Sequence, residues 1–303
     1  MVTYESNHHF YLWFGGMYMK RKLTALALAL GLTFALTACG GTTGSAETPA
    51  GGNSESPASA ESNTPAAESD LAYVQNKGTL VVGITEFDPM DYRDADGNWI
   101  GFDADMAKAF AESLGVEVQF QVIDWDNKVM ELDGKTIDVV WNGMTLTDEV
   151  TSAMECTNAY CNNAQVVILP ADVADDYPDV ASMSGLNFAV ESGSAGQAQA
   201  DANGFSYTEV VDQATAVLEV ESGTADAAII DSLMAGAMVG EGTSYADLTY
   251  TIQLNSEEYG VGFRKGSDLA EKLNQFFVDS YADGTMTSLA ETYGIQAALI
   301  PQE

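Results

Sequence analysis

Histidine occurs in this sequence only as His8 and His9, and after them there is none. If the first 38 residues are removed, as the N-terminus implies, nothing is left for imidazole-based activation of a nucleophile, for histidine metal ligation or for the usual switch near neutral pH. Cysteine is nearly as scarce, with Cys39, Cys156 and Cys161 the three in the chain. Two thiols in the folded part are no disulfide framework, and without histidine or a second CxxC pair they make a poor zinc site. A local bridge between Cys156 and Cys161 is open at this spacing, but two plain thiols are the first expectation. No metal and no cofactor are expected. Basic residues are the third scarcity: 11 Lys and Arg stand against 45 Asp and Glu, for a formal charge of -34. A phosphate backbone needs a basic footprint, so nucleic acid is excluded as a partner. Such an excess of one sign keeps a protein soluble and apart from its copies, and a monomer is expected.

What is present begins with Lys20, Arg21 and Lys22, followed by an uncharged apolar run from Leu23 to Leu36 and then Thr37-Ala38-Cys39. About 14 apolar residues fall short of the roughly 20 that span a bilayer. The pattern is that of a signal peptide over residues 1–38. A small residue before Cys39, with Gly40 and Gly41 after it, resembles the bacterial lipobox, in which the cysteine is lipidated and becomes the mature N-terminus. Residues 1–18 precede a compact signal that would start at Met19, so they read as a mis-assigned start. Cleavage removes Glu5 and three basic residues, leaving 44 acidic residues against 8 basic ones. From Gly40 to Asp70 no aromatic or large aliphatic residue occurs, and such a segment cannot bury enough surface to fold. Residues 39–70 are expected to be an anchor and flexible tether with a reach of about 30 Å.

The folded part, from Leu71 to about Ile300, alternates apolar strands with amphipathic helices, which is the order of an α/β fold. Leu80 to Ile84 reads as a buried parallel strand. Asp94-Ala95-Asp96-Gly97-Asn98 has glycine too early for a calcium loop and reads as a hairpin turn. Asp103 is expected to cap a helix that Gly115 ends. The pattern restarts after Gln165 to Leu169, so a second α/β lobe follows the first. Ligands of open parallel sheets bind beyond the carboxyl ends of the strands. Those ends supply Glu86, Phe87, Trp125 and Asn142-Gly143-Met144-Thr145 in the first lobe, and Glu191 to Ala195 and Asp231 in the second. Aromatics, carboxylates, hydroxyls and glycine amides suit a small polar or cationic ligand. Each also has an ordinary role open to it: Phe87 and Trp125 as core, Ser194 and Ala195 as a strand-to-helix turn, Asp231 as a helix cap.

The stretches GTLVVGITEFDPMDYRDADGNWIGFDADMAKAF, WNGMTLTDE, NAYCNNAQVV, FAVESGSAG, ADAAIID and EEYGVGFRKGSD, in this order and spacing, resemble the polar amino acid-binding proteins of ABC importers (solute-binding protein family 3). The resemblance covers Gly78 to Tyr293. It implies a periplasmic-binding-protein-like type II fold, with two α/β lobes joined by a two-strand hinge near Tyr160 to Ala164 and Glu257 to Gly260. Lobe one is then 71–163 plus 261–303, and lobe two 164–260. It further implies aromatic walls at Phe87 and Trp125, a loop at Asn142, Gly143 and Thr145 that takes the α-amino acid group, hydroxyl and amide bonds from Ser194 and Ala195, and pairing of Asp231 with an α-ammonium. Glu86 completes the expected ligand-binding set. The implied partners are an amino acid or amine, an ABC permease, and the membrane through the lipid alone.

The sequence departs from the family at one telling place. The arginine that usually follows Thr-x-Glu, and that forks onto a ligand carboxylate, is here Val150. Glu191 likewise stands where some relatives carry lysine. No basic residue lies among the strand-end positions, so the expected ligand is cationic or amine-bearing and has no dominant carboxylate. A same-fold, dehydratase-like enzyme using Glu86 or Glu191 as acid or base, and an extracytoplasmic sensor module, are the competing readings. Neither a catalytic residue nor a metal ligand is assigned.

Overall fold

The computed structural model describes residues 69–303. The signal segment, Cys39 and nearly all of the expected tether lie outside the described residues. At the near end of that tether, Ser69 caps α1 (Asp70–Lys77), its Oγ accepting from Ala72 N at 3.0 Å, and Gly78 closes the helix at φ 76°. Residues 69 and 70, expected to belong to the tether, are thus part of the helix and its cap.

The first lobe continues with β1 (Thr79–Ile84), the hairpin β2 (Tyr92–Arg93) and β3 (Trp99–Ile100), and α2 (Phe102–Leu114). Next come β4 (Glu117–Val122), α3 (Lys128–Asp133), β5 (Val139–Thr145), α4 (Asp148–Ala153), β6 (Glu155–Cys156) and β7 (Cys161–Asn163). The second lobe holds β8 (Gln165–Pro170), β9 (Asn187–Glu191), α5 (Ala195–Asn203), β10 (Ser206–Val210), α6 (Gln213–Glu221), β11 (Ala227–Asp231), α7 (Ser232–Met238) and β12 (Leu248–Gln253). The chain then returns through β13 (Glu257–Phe263) to α8 (Leu269–Ala282) and α9 (Thr285–Thr292).

Two sheets organise these elements. The first runs β4-β1-β5-β13-β6 with β7 paired to β13, and the second β10-β9-β11-β8-β12. In the first, β4, β1 and β5 are parallel, and in the second β10, β9 and β11 are. Their carboxyl ends therefore lie at one edge of each sheet. Leu80, Val82 and Ile84 are fully buried, as continuous apolar strands covered by helices require. Phe110, Trp141, Tyr160 and Phe277 pack around the first sheet at ring separations of 5.6 to 6.3 Å. Around the second, Phe188 stacks on Phe205 at 4.4 Å beside Val167, Val190 and Ile229. Each fully buried side chain of this size contributes about 2 kcal/mol. Between the sheets, β7 and β13 run antiparallel with Asn163 opposite Glu257 and Cys161 opposite Tyr259. These two strands carry the chain out and back, so the two-lobed α/β architecture read from the sequence is present.

Asp103 is not a helix cap. Gly101 occupies the N-cap of α2 at φ 124°, and a Cβ there would lie 2.1 Å from the Met90 carbonyl oxygen. With glycine holding the turn, Asp103 falls one position inside the helix and is fully buried. Cys156 and Cys161 are both free thiols. The edge strands β10 and β12 gave no signal in the sequence because alternate residues such as Ser206, Glu209 and Thr251 face solvent.

Candidate functional site

The strand ends of both sheets meet at a cleft of about 370 Å³. Phe87, Trp125, Asn142, Gly143 and Thr145 line it from the first lobe, and Ser194, Ala195 and Asp231 from the second. Glu86 is placed outside this lining; its Oε1 sits 3.4 Å from Arg93 Nε, with a half-exposed side chain. Both residues lie beyond the end of β1, where Phe87 bridges to Asp91 and is buried while Glu86 stays half-exposed.

On the first wall the polar groups are bound within the protein. Asn142 accepts from Thr85 N at 3.0 Å and Thr85 Oγ1 at 2.7 Å, and donates to Thr85 O at 3.1 Å and Asp91 Oδ2 at 2.8 Å. That fills both lone pairs and both protons of its amide. Gly143 N donates to Asp103 Oδ2 at 2.7 Å, and the same oxygen accepts from Tyr160 OH at 2.7 Å. Gly143 has φ 55°, and a Cβ there would approach Phe87 Cε1 to 2.4 Å, so glycine is what lets the ring lie over the strand. Phe87 in turn meets Tyr259 edge-on at 6.2 Å. Phe87 and Trp125 are thus both core and cleft wall, being almost fully buried and yet lining the cavity. Burial holds Asp103 up at about 7, and burial with the Asp103 charge holds Asp91 well above the ordinary carboxylate range.

The second wall is arranged around two acids. Ser194 caps α5, its Oγ accepting from Gln197 N at 3.1 Å, while Gln197 Oε1 accepts from Gly193 N at 2.7 Å. Asp231 stands at the N-cap of α7 but caps nothing with its side chain. Its carboxylate instead accepts from Gln165 Nε2 at 3.0 Å and Tyr259 OH at 2.8 Å, and also from Asn163 and Gln213. Asn163 and Gln165 share their amides with Glu257 Oε1, at 2.7 and 2.8 Å, and Thr145 Oγ1 reaches the same oxygen at 2.9 Å. The cluster joins the cleft to the two hinge strands. Burial and then the Glu257 charge raise Asp231 to about 7. Glu191, also lining the cleft, is 3% exposed and its Oε1 has no hydrogen-bond partner. Burial, then the charges of Asp231 and Asp212, raise it to about 8.

Lys128 is the residue that strand-end reasoning missed. It is the first residue of α3, one turn beyond Trp125, and its ammonium lies 4.9 Å over the Trp125 ring. It donates to Trp125 O at 3.1 Å and, across the cleft, to Gly193 O at 3.0 Å. No basic residue lies at the strand ends, as read from the sequence, but this side chain reaches the cleft from a helix. Burial lowers its pKa. The walls approach closely here, since a Cβ on Gly193 would lie 2.7 Å from Asp126 Cα. Val150 lines the cleft while packing among Met144 and Met154. Asp126, Glu149, Glu191, Asp201 and Asp231 make five lining carboxylates against the one ammonium. Among the described residues no cluster of His, Cys, Asp and Glu suited to a metal ion occurs, and no helix is long and apolar enough to cross a membrane.

Comparison with known proteins matches residues 80–296 to the family described as bacterial extracellular solute-binding proteins, family 3. The arginine-binding extracellular protein ArtP of Bacillus subtilis is 26% identical over 284 residues, 91% of this chain and 98% of that protein. A crystal structure of an ABC uptake transporter substrate-binding protein from Streptococcus pneumoniae with bound histidine superposes with a TM-score of 0.70 at 28% identity, covering 77% of this chain and 99% of that one. That of the ancestral amino acid-binding protein AncCDT-1, a precursor of cyclohexadienyl dehydratase, does so with a TM-score of 0.68 at 29% identity, covering 74% and 99%. These likenesses bear out the type II binding-protein fold.

Proposed function

The chain belongs to the bacterial extracellular solute-binding proteins, family 3, and from that premise we propose that it captures a cationic or amine-bearing amino acid-like solute outside the cytoplasm for an ABC importer. The observation that carries this reading is the acidity of the cleft, where Asp126, Glu149 and Asp201, with Asp231 and Glu191 that a bound cation would ionise, line a site holding a single ammonium. The open clamp takes the ligand on one lobe, the other lobe closes over it, and the closed form docks on a permease. In our reading the lobes are 71–163 with 261–303 and 164–260, the protein works as a monomer, and Cys39 carries the lipid that holds it at the membrane. Asp231 takes the ligand's ammonium, between aromatic walls at Phe87 and Trp125. Gly143, held by Asp103, and Asn142, held by Thr85 and Asp91, shape the first wall more than they contact the ligand.

A binding rather than catalytic role is supported by the state of the cleft's nucleophiles. Ser194 Oγ accepts from a backbone amide and has no base beside it, while Thr145 Oγ1 donates to Glu257 Oε1, an oxygen that also holds the Asn163 and Gln165 amides, so that hydroxyl is tied into the hinge network. Calorimetry on L-arginine, L-lysine, L-histidine and simple amines against L-glutamate and L-aspartate tests the proposal. Binding of the cationic set with acidic amino acids weaker is the expected result. Tight binding of glutamate or aspartate with no response to amines, or turnover of a bound solute, is the outcome that sinks it. Asp231→Asn should lower affinity for every α-amino ligand about a hundredfold, because a charge-assisted bond in a buried site contributes about 3 kcal/mol.

A further inference from the structure

Asp231 and Glu191 end neighbouring strands of the second sheet, both are buried, and both line the cleft. They differ in what the protein gives them. Asp231 receives four side-chain donors, from Asn163, Gln165, Gln213 and Tyr259. Glu191 Oε1 receives none. A buried carboxylate oxygen without a donor costs about 1–3 kcal/mol, and more when the group is charged. Lys128 does not relieve it: the ammonium donates to Trp125 O and Gly193 O and forms no ion pair with Glu191. The second wall is therefore complete around Asp231 and incomplete around Glu191.

Resting on the reading above, we propose that Glu191 holds a second cationic group of the ligand, separate from the ammonium on Asp231, and so selects amino acids with a positively charged side chain over neutral ones of the same shape. A guanidinium or side-chain ammonium supplies the donor that Oε1 lacks. A neutral side chain without an N–H leaves that oxygen buried and unpaired, and a ureido group donates to it but brings no charge to offset an ionised buried carboxylate, so the discrimination against an uncharged isostere comes from charge. The groups facing Glu191 are Lys128 from α3, Asp212 and Gln213 at the start of α6 and Asp231 from β11. Without ligand, burial and then the charges of Asp231 and Asp212 raise the carboxyl to about 8, against the smaller opposing pull of Gln213 and Lys128. An arriving cation ionises it, and one proton passes to solvent.

The experiment compares L-arginine with L-citrulline, its uncharged isostere, by calorimetry on the full chain near pH 7 in two buffers of different ionisation enthalpy. Wild type should prefer arginine by about ten- to a hundredfold and release a proton on binding it. Glu191→Gln should bring the two ligands to parity and abolish most of the proton release, with citrulline affinity retained as the sign of an intact fold. Glu191→Leu, which removes the polar group altogether, should bind citrulline at least as well as wild type while losing arginine. If arginine preference persists in Glu191→Gln, or if both variants lose the two ligands equally, the inference is overturned while the general reading stands. Equal wild-type affinity for arginine and citrulline also overturns it. If wild type binds no amino acid or amine at all, the proposed function itself fails and this inference with it.

Discussion

On the first wall of the cleft, Asn142 and Gly143 have their hydrogen bonds filled from within the lobe, by Thr85, Asp91 and Asp103. On the second, Glu191 keeps a buried oxygen without a partner and Asp231 sits among carboxylates with no cation bonded to it. The same kinds of side chain thus serve two ends. Asp91 Oδ1 and Asp103 Oδ1 are also buried without a partner but lie behind the first wall, whereas Glu191 lines the cleft, so only there does the unfilled oxygen leave free energy for a ligand to recover. Residues at the carboxyl ends of equivalent strands therefore cannot be assigned to ligand contact by position alone.

Removing the amide at the centre of the first wall should give the largest effect. Asn142→Ala would strand Thr85 N, Thr85 Oγ1 and Asp91 Oδ2 in the interior, a loss of about 4 kcal/mol in urea unfolding. Asp231→Asn should change unfolding far less while removing most of the binding. If instead Asn142→Ala unfolds like wild type and loses only affinity, the two walls do not differ in the way described.

A pH series separates the walls next. Glu191, Asp231 and Asp103 have folded pKa values raised above their ordinary ones, to about 8, 7 and 7. The folded chain then binds more protons than the unfolded one between about pH 4 and 8, so stability is fully present below the unfolded values and is lost as pH rises through the folded ones. The ligand-free protein should therefore melt at a lower temperature at pH 8 than at pH 5.5, each of the three groups costing on the order of 2 kcal/mol of stability over that range. Glu191→Gln should flatten the curve at its upper end, and bound ligand should flatten it further, because a cation favours the ionised form. Asp103, behind the first wall, should keep its share in both. A melting temperature that rises from pH 5.5 to 8 would contradict the assignment.

How much of this was legible beforehand follows from what each signal depends on. The two lobes were, because runs such as Leu80 to Ile84 and Ala227 to Ile230 are apolar for the same reason that they are buried, with helices on both faces. Cleft position was legible for Phe87, Trp125 and Asp231, since strand ends in a parallel sheet share an edge. Glu86 showed the limit of that rule: it follows the same strand, but its side chain lies half-exposed beside Arg93, outside the cleft lining. Asp103 looked like a cap because an acidic residue opened the helix, and only the contact of Gly101 with Met90 explains why the cap lies two residues earlier. The partners of Asp231 come from three stretches far apart in sequence, and no local pattern joins Asn163 and Gln165 to Gln213 and Tyr259.

Lys128 hydrogen-bonds to both walls, and the smallest predicted effect concerns it. Its bond to Trp125 O is local, whereas its bond to Gly193 O exists only while the lobes are together. Lys128→Met keeps the aliphatic stem against the Trp125 ring and removes both donors. One neutral acceptor lost across a partly wet cleft is worth about 1 kcal/mol, which corresponds to roughly fivefold faster ligand release in stopped-flow measurements. Association should hardly change, because the open form does not make this bond. Unchanged release would mean that the lobes are held by the ligand alone, with Lys128 no more than packing beside Trp125. A gain in affinity for cationic ligands that outweighs the faster release would mean instead that its charge repels them, and that its field on the second wall matters more than the bond it makes to Gly193.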